Sequence, residues 1–125
     1  MFEDYYDSQA KRLHNKMKQV PWGTDERKNM LTEFLNYSRQ SLTTEKLECA
    51  VRQLQTADGE NLARKLFDTR YYGATLKTLS KELGIPIRKV RNQLSNLRKQ
   101  GFVWYADQEE YKTFRYYLTD IKVTI

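Results

Sequence analysis

Residues 75–101, TLKTLSKELGIPIRKVRNQLSNLRKQG, constrain the fold more than any other part of the chain. The apolar residues that recur at helical spacing are Leu76, Leu79 and Leu83, and then Val90, Leu94 and Leu97. Between the two groups, Gly84 supplies the left-handed residue that ends a helix, and Pro86 favours the start of the next. The pattern predicts two short amphipathic helices joined by a tight turn, the second at 87–100.

The outward face of the helix predicted at 87–100 is basic and polar. This helix contains five Lys or Arg residues and no Asp or Glu. Guanidinium, ammonium, amide and hydroxyl groups bind phosphates and the edges of bases. The candidate DNA-binding residues of the helix are Arg88, Lys89, Arg91, Asn92, Ser95, Asn96 and Lys99. The pattern therefore predicts a helix that enters the major groove of double-stranded DNA.

The positive charge of the chain is concentrated around these two helices. Residues 58–105 contain 10 Lys or Arg and 4 Asp or Glu, whereas residues 1–57 contain 9 and 8, and residues 106–125 contain 3 and 4. The whole formal net charge of +6 is therefore located in the middle of the chain. Localised positive charge favours a polyanionic partner and accelerates association with it.

A β-hairpin is predicted after the second helix. Residues 102–105 and 111–118 have the composition of strands, and residues 106–110 have that of a polar turn. The residues that alternate along the second strand, as one buried face requires, are Phe114, Tyr116 and Leu118 against Arg115 and Tyr117. One more helix is predicted before these two helices, at 60–72. Three helices followed by a hairpin predict a winged helix-turn-helix domain at 58–125, in a chain that is mainly α within the α+β class.

The same residues resemble a known superfamily. Residues 75–103 are similar to the helix-turn-helix of winged-helix transcriptional regulators of the MarR, PadR and ArsR type, and FRYYLTD at 114–120 is similar to their second wing strand. The resemblance covers about half of the chain, roughly residues 60–120. It implies that residues 87–100 form the recognition helix and that residues 106–111 form the wing tip.

The predicted wing tip departs from the pattern of these regulators. DNA-binding members usually carry a basic residue there, whereas this chain has Asp107, Glu109 and Glu110. Three interpretations are open: the wing points away from DNA, Lys112 and Arg115 on the second strand contact the DNA instead, or the winged helix binds a protein. The cysteine metal box of the ArsR sensors has no counterpart, so the resemblance implies no metal sensing.

Residues 1–57 are predicted to form an N-terminal helical extension. Helices are expected at 3–20, from Thr24 as the N-cap, and from near Thr44. The apolar residues of the first helix that lie on one side at spacings of 4 and 3 are Tyr6, Ala10, Leu13, Met17 and Val20. This seam either packs on the chain's own core or joins a partner helix, and the second interpretation predicts a homodimer through the N-terminal helices.

The segment between the extension and the two-helix motif is expected to contain one more helix. Residues 56–59 have the composition of a loop. A helix is predicted at 60–72, with Leu62, Ala63, Leu66, Phe67 and Tyr71 on its buried side, and Gly73 closes it.

Composition argues against several other classes of protein. The single Cys49 excludes a disulfide framework and a multi-thiolate metal site, and the only histidine, His14, is expected to be solvated. The sequence shows no catalytic constellation, phosphate-cradling Gly-rich loop or cofactor motif, so an enzyme is not expected. No apolar run approaches the ~20 residues that span a bilayer, and the charged first twenty residues do not resemble a secretory signal. A cytoplasmic protein without cofactors is expected.

The sequence therefore predicts a sequence-specific binder of double-stranded DNA, in the role of a transcriptional regulator. A replication or plasmid-maintenance protein is the first alternative, because the fold alone does not distinguish these roles. A winged helix that docks on an acidic protein partner is the second. A small-molecule effector is left open, since an effector pocket has no sequence spacing by which to find it.

Overall fold

The computed structural model describes residues 2–110 and 113–122. In chain order the elements are helices α1 (Phe2–Met17), α2 (Asp25–Ser38), α3 (Thr44–Val51) and α4 (Ala57–Asp68), strand β1 (Ala74–Thr75), helices α5 (Leu76–Leu83) and α6 (Ile87–Lys99), and strands β2 (Phe102–Glu110) and β3 (Thr113–Ile121). A 3-10 turn, Arg39–Ser41, follows α2. The strands form one antiparallel sheet in the order β1-β3-β2. The predicted α+β class with mainly helical content is confirmed.

A first hydrophobic cluster holds α3, α4, α5, α6 and one face of the sheet together. Its largest fully buried members are Leu62, Leu66, Leu79, Val90, Leu94, Leu97, Phe102, Leu118 and Ile121. The leucines that the sequence assigned to the inner sides of α4 and α6 are all among them. Helix α3 belongs to this cluster through Leu47, Ala50 and Val51, so the hydrophobic clusters divide the chain between α2 and α3. The two predicted domains, 1–57 and 58–125, stay a prediction.

A second cluster packs α1 and α2 on the opposite face of the sheet. Its buried members are Ala10, Met17, Phe34, Leu35 and Tyr117, with Leu13 and Tyr105 packed against them. Ala10 and Met17 of the predicted seam are 7% and 0% exposed, so the seam packs within the chain. The side chain of Tyr6 lies outside the described residues. The homodimer stays a prediction, and a dimer would have to use other surfaces of α1 and α2.

Helix starts follow the capping chemistry of threonine. Thr24, as predicted, is the N-cap of α2, and Thr75 is the N-cap of α5. Each accepts a hydrogen bond from a backbone N–H three residues later. Thr43, one residue before the predicted start, caps α3. The loop predicted at 56–59 is wrong, because the Thr56 hydroxyl accepts a hydrogen bond from the N–H of Gly59, 3.1 Å away, and starts α4 there. That helix ends at Asp68, earlier than predicted, and Tyr71 is 58% exposed.

The hairpin is longer than predicted, and both of its faces are covered. Residues 106–110 continue β2 instead of forming a turn, with Asp107 opposite Arg115 and Gln108 opposite Phe114. Leu118 is buried in the first cluster, whereas Tyr117 is buried on the other face in the second. The prediction that β3 has a single buried face is therefore wrong near the C-terminal end of the strand. There, α1 and α2 cover the second face of the sheet. Phe114, expected on the buried face, is 43% exposed.

His14 is partly buried, contrary to the prediction that it is solvated. Its ring stacks on Phe34 at a centroid distance of 5.6 Å and meets Tyr105 edge-on at 5.2 Å. Burial lowers the pKa of His14 below its ordinary value, and the positive charges of Lys18 and Arg27 lower it further. Protonation of this ring therefore opposes the packing of α1 against the hairpin.

We expect the folded state to lose stability as pH falls through the unfolded pKa of His14, about 6.5, toward its lower folded pKa. In that window the unfolded chain binds more protons than the folded chain, so acid favours unfolding. Urea unfolding of the wild type and of His14→Phe at a series of pH values measures the effect. As pH decreases, the unfolding free energy of the wild type should decrease relative to that of His14→Phe. A constant difference contradicts the prediction.

Candidate nucleic-acid interface

Helix α6 presents a continuous polar surface. All seven of its predicted contact residues are exposed, while Val90, Leu94 and Leu97 are at most 2% exposed. The turn before it is formed by Gly84 in the left-handed conformation, with φ of 68°, and by Pro86 as the N-cap. The predicted geometry of the two helices around this turn is confirmed.

Helix α6 is fixed against the hairpin at its C-terminal end. The indole Nε1 of Trp104 donates a hydrogen bond to the carbonyl of Leu94, 2.9 Å away. The guanidinium of Arg98 lies 3.6 Å from the ring centroid of Trp104 and donates to the carbonyl of the same residue. These contacts fix the outward side of α6 relative to β2, so the two elements present one surface.

Some of the positive charge in the middle of the chain is neutralised by internal ion pairs. Lys65 pairs with Glu82 at 3.3 Å, and Arg64 pairs with Glu48 and Glu60. Lys89, a predicted contact residue, lies 3.2 Å from Asp58, although its side chain is 55% exposed. Lys89 is therefore on the side of α6 that faces the start of α4.

The remaining basic side chains of α6 form no ion pair with an acid in the part of the chain that the structure describes. Among the described residues, Arg88, Arg91 and Lys99 form no ion pair. Asn92 and Ser95 are exposed on the same helix, and Asn96 borders a small cavity on the α4 side. Unpaired guanidinium groups keep their full capacity for phosphate or base contacts. The structure thus divides the predicted set into an outward group and two residues, Lys89 and Asn96, nearer to α4.

An open groove of about 770 Å³ runs between α6, the start of α5 and the hairpin. Its wall combines four kinds of side chain, which are the basic Lys77 and Arg91, the aromatic Phe114 and Tyr116, the aliphatic Leu76 and Ile87, and the hydroxyl-bearing Thr75 and Thr113. Such a wall can hold a phosphate by its basic groups and the face of a sugar or base by its aromatic rings. The groove therefore extends the polar surface of α6 toward the hairpin.

The predicted acidic wing is largely a different structure. Asp107 is not at a tip: it is 7% exposed, and its Oδ1 lies 2.9 Å from Nη2 of Arg27 and 3.1 Å from the hydroxyl of Tyr105. Its charge is neutralised inside the chain. The side chains of Glu109 and Glu110 lie outside the described residues, as does Lys112.

Arg115 is on the face of the sheet that α2 approaches. Its Nη1 donates to the carbonyls of Tyr72 and Gly73, at 3.4 Å each. Phe114 and Tyr116, its neighbours along β3, line the α6 groove on the other face. The structure therefore does not bring Arg115 together with the α6 residues. Arg115 could contact a DNA duplex bound to α6 only if the duplex extended past the edge of the sheet.

The sequence did not indicate that Lys77 and Phe114 lie in the groove beside α6. Lys77 stands in the first turn of α5, and its only sequence signal was its position two residues after the Thr75 cap. Phe114 was assigned to the core because it alternates in phase with Leu118. At Phe114, β3 extends beyond the first cluster. Phe114 is therefore exposed, although it lies on the same face of the strand as the buried Leu118.

Within residues 2–110 and 113–122, no group of three His, Cys, Asp or Glu side chains is placed to hold a metal ion. Cys49 is partly exposed on α3. No helix in the same ranges is long and apolar enough to cross a membrane.

No protein-family model matches the chain, and no curated protein or solved structure is significantly similar to it. The class of protein is therefore the one that the geometry defines: a mainly helical α+β chain in which a basic helix lies exposed beside a β-hairpin.

Proposed function

We propose that the chain from α4 to β3 is a winged helix-turn-helix domain that binds double-stranded DNA, with α6 in the major groove. The observation that carries this proposal is the outward side of α6, where Arg88 and Arg91 are exposed and unpaired among the described residues. An α-helix of this length fits the major groove, and guanidinium groups read guanine there. The element order of helix, strand, two helices and hairpin supports the winged-helix assignment.

The hairpin supports the same proposal more strongly than its sequence did. Asp107 is paired with Arg27 and buried, so this carboxylate does not repel a DNA backbone. The groove beside α6 adds Lys77 and Phe114 to the surface. The wing then contributes through its groove side, where an aromatic ring can contact a sugar or a base edge.

Alanine at Arg88 or at Arg91 is expected to cost about 1–3 kcal/mol of duplex binding if each contacts a base pair. Fluorescence anisotropy with a duplex selected from a random pool measures the loss. Arg52→Ala is the matched control, because Arg52 is exposed, follows α3 directly and does not line the α6 groove. Its affinity should equal that of the wild type.

The salt dependence of binding separates base contacts from phosphate contacts. The slope of log affinity against log salt should be about −0.9 for each phosphate that the wild type neutralises. Unchanged affinity in both Arg88→Ala and Arg91→Ala would remove α6 from the interface. Absence of wild-type binding to any duplex of the pool at low salt would refute the DNA-binding proposal itself.

The biological role within DNA binding is proposed as transcriptional regulation, with replication or plasmid maintenance as the alternative. Footprinting on native DNA distinguishes them, since a promoter operator supports the first and an origin repeat the second. A homodimer would present two α6 helices to half-sites about 34 Å apart. Sedimentation of a 15.0 kDa species at micromolar concentration would exclude that dimer.

A further inference from the structure

A second group of cationic side chains lies away from α6, beside the turn that follows α4. We name it the Arg39–Arg70 cluster, formed by Arg39, Arg70, Tyr71 and Tyr72. The guanidinium groups of Arg39 and Arg70 lie 4.6 and 4.7 Å from the ring centroid of Tyr71. Among the described residues, Tyr71 and Tyr72 are the most exposed of the large apolar and aromatic side chains, at 58% and 76%. The aromatic part of the cluster is therefore open to solvent, whereas the side chains of Arg39 and Arg70 are half-buried.

Hydrogen bonds to neutral groups hold the two guanidinium groups in place. Arg39 donates from Nη1 to the carbonyl of Arg70, at 3.2 Å, and from Nη2 to Oδ1 of Asn36, at 2.7 Å. Arg70 donates from Nη1 to the carbonyl of Phe67, at 2.7 Å. These bonds leave other N–H groups of each guanidinium available.

The cluster carries two positive charges without a counter-charge from the described part of the chain. Neither Arg39 nor Arg70 forms an ion pair with an Asp or Glu there. Burial lowers the pKa of Arg39, and the nearby charge of Arg70 lowers it further. Two like charges held in fixed positions are stabilised by an anion between or beside them.

Only a short stretch of chain separates the cluster from the groove that borders α6. Tyr72 precedes Thr75 by three residues, a span of at most about 10 Å, and Thr75 lines the groove. Arg115, whose Nη1 is 3.4 Å from the carbonyls of Tyr72 and Gly73, adds a third guanidinium beside the same turn. A DNA strand carries one charge per about 3.4 Å of helix axis, so a strand that leaves the groove on this side brings a phosphate within reach.

We propose that the Arg39–Arg70 cluster binds a phosphodiester of the DNA backbone, outside the segment that α6 contacts. Guanidinium groups bind phosphate oxygens with paired, charge-assisted hydrogen bonds, and the exposed tyrosine hydroxyls are further donors. The proposal rests on the proposed function, because the same duplex must occupy both surfaces. It extends the interface from α6 across β1 to the turn between α2 and α3.

Replacement of either arginine by glutamine tests the proposal. Arg39→Gln and Arg70→Gln should each weaken duplex binding to the same degree for the selected sequence and for an unrelated sequence, since a phosphate contact does not read bases. Each should reduce the magnitude of the salt slope by about 0.9. Arg52→Gln is the matched control with an unchanged slope, and far-UV circular dichroism with urea unfolding verifies that each variant is folded.

Duplex length gives a second, independent measurement. Shortening the duplex at the end that reaches the cluster should weaken the wild type and leave Arg39→Gln and Arg70→Gln nearly unaffected. Unchanged salt slopes in both variants on long duplexes would overturn the cluster proposal, while wild-type binding would leave the α6 proposal standing. Another outcome is that the wild type binds polyglutamate through these arginines while both variants keep full duplex binding. That outcome would assign the cluster to an acidic protein partner and would also overturn the cluster proposal. Wild type that binds no duplex refutes both proposals.

Discussion

Asp107→Asn is expected to lower the free energy of unfolding by about 3–5 kcal/mol, the cost of removing one partner of a buried ion pair. The side chains of Arg27 and Asp107 are only 16% and 10% exposed, and their nitrogen and oxygen are 2.9 Å apart. Urea unfolding followed by circular dichroism measures the loss. It is a large part of the 5–15 kcal/mol that stabilises a typical domain.

The effect is large because Arg27 connects three parts of the chain. Its guanidinium donates to the carbonyls of Met17, the last residue of α1, and of Val20, and also to Asp107 and the hydroxyl of Tyr105 on β2. Burial and then the Asp107 carboxylate raise the pKa of Tyr105 to about 12, so this hydroxyl stays protonated at neutral pH. Without the carboxylate, a buried positive charge is left with neutral partners only.

Asp68→Asn provides the matched control, because it removes the same charge from an exposed side chain on α4. That change should stay within about 0.5 kcal/mol of the wild type. The double variant Arg27→Met with Asp107→Leu should lose less stability than Asp107→Asn, since no charge is then left buried. If Asp107→Asn is as stable as its control, the ion pair does not connect α1 and α2 to the hairpin in solution.

Phe102→Ala is expected to destabilise the protein by about 3–5 kcal/mol, through lost burial and the cavity that remains. Phe102 is fully buried in the first cluster, directly after α6, and pairs with Ile121 at the base of the hairpin. The same change at Phe114, which is 43% exposed, should cost about 1 kcal/mol or less. Thermal and urea unfolding of the two variants give the comparison.

The effects of the two substitutions on DNA binding should have the opposite order to their effects on stability. Phe114→Ala should weaken duplex binding while the protein stays folded, because Phe114 lines the groove beside α6. Phe102→Ala, measured at a temperature where it is folded, should retain the exposed residues of α6 and bind more nearly like the wild type. Equal loss of stability in both variants would contradict the placement of Phe114 at the surface.

Local chemistry was sufficient to predict much of the helical part. Thr24 and Thr75 cap helices because a hydroxyl satisfies the free N–H groups of a first turn, and Gly84 ends α5 because it adopts positive φ without strain. The inward side of α6 followed from residues three and four apart. The same rules failed at residues 56–59, where a threonine cap was interpreted as part of a loop.

Tertiary contacts decided the features that local rules could not reach. Residues 106–110 are polar and looked like a turn, yet they continue β2, because Asp107 meets an arginine 80 residues earlier in the chain. His14 looked solvated on α1, but the docking of α1 against β2 places it between Phe34 and Tyr105. No spacing within a single element carries that information.

The sequence by itself determined the two amphipathic helices around Gly84 and the basic, acid-free outward side of the second, since both follow from periodicity and side-chain charge. Only the tertiary structure decided which charges remain available to a partner. It paired Lys89 with Asp58 and Asp107 with Arg27. It also placed Arg39 beside Arg70, although the two residues are 31 positions apart in the sequence. The physical reason is that electrostatic pairing depends on distance in space, which the fold sets, and not on separation along the chain.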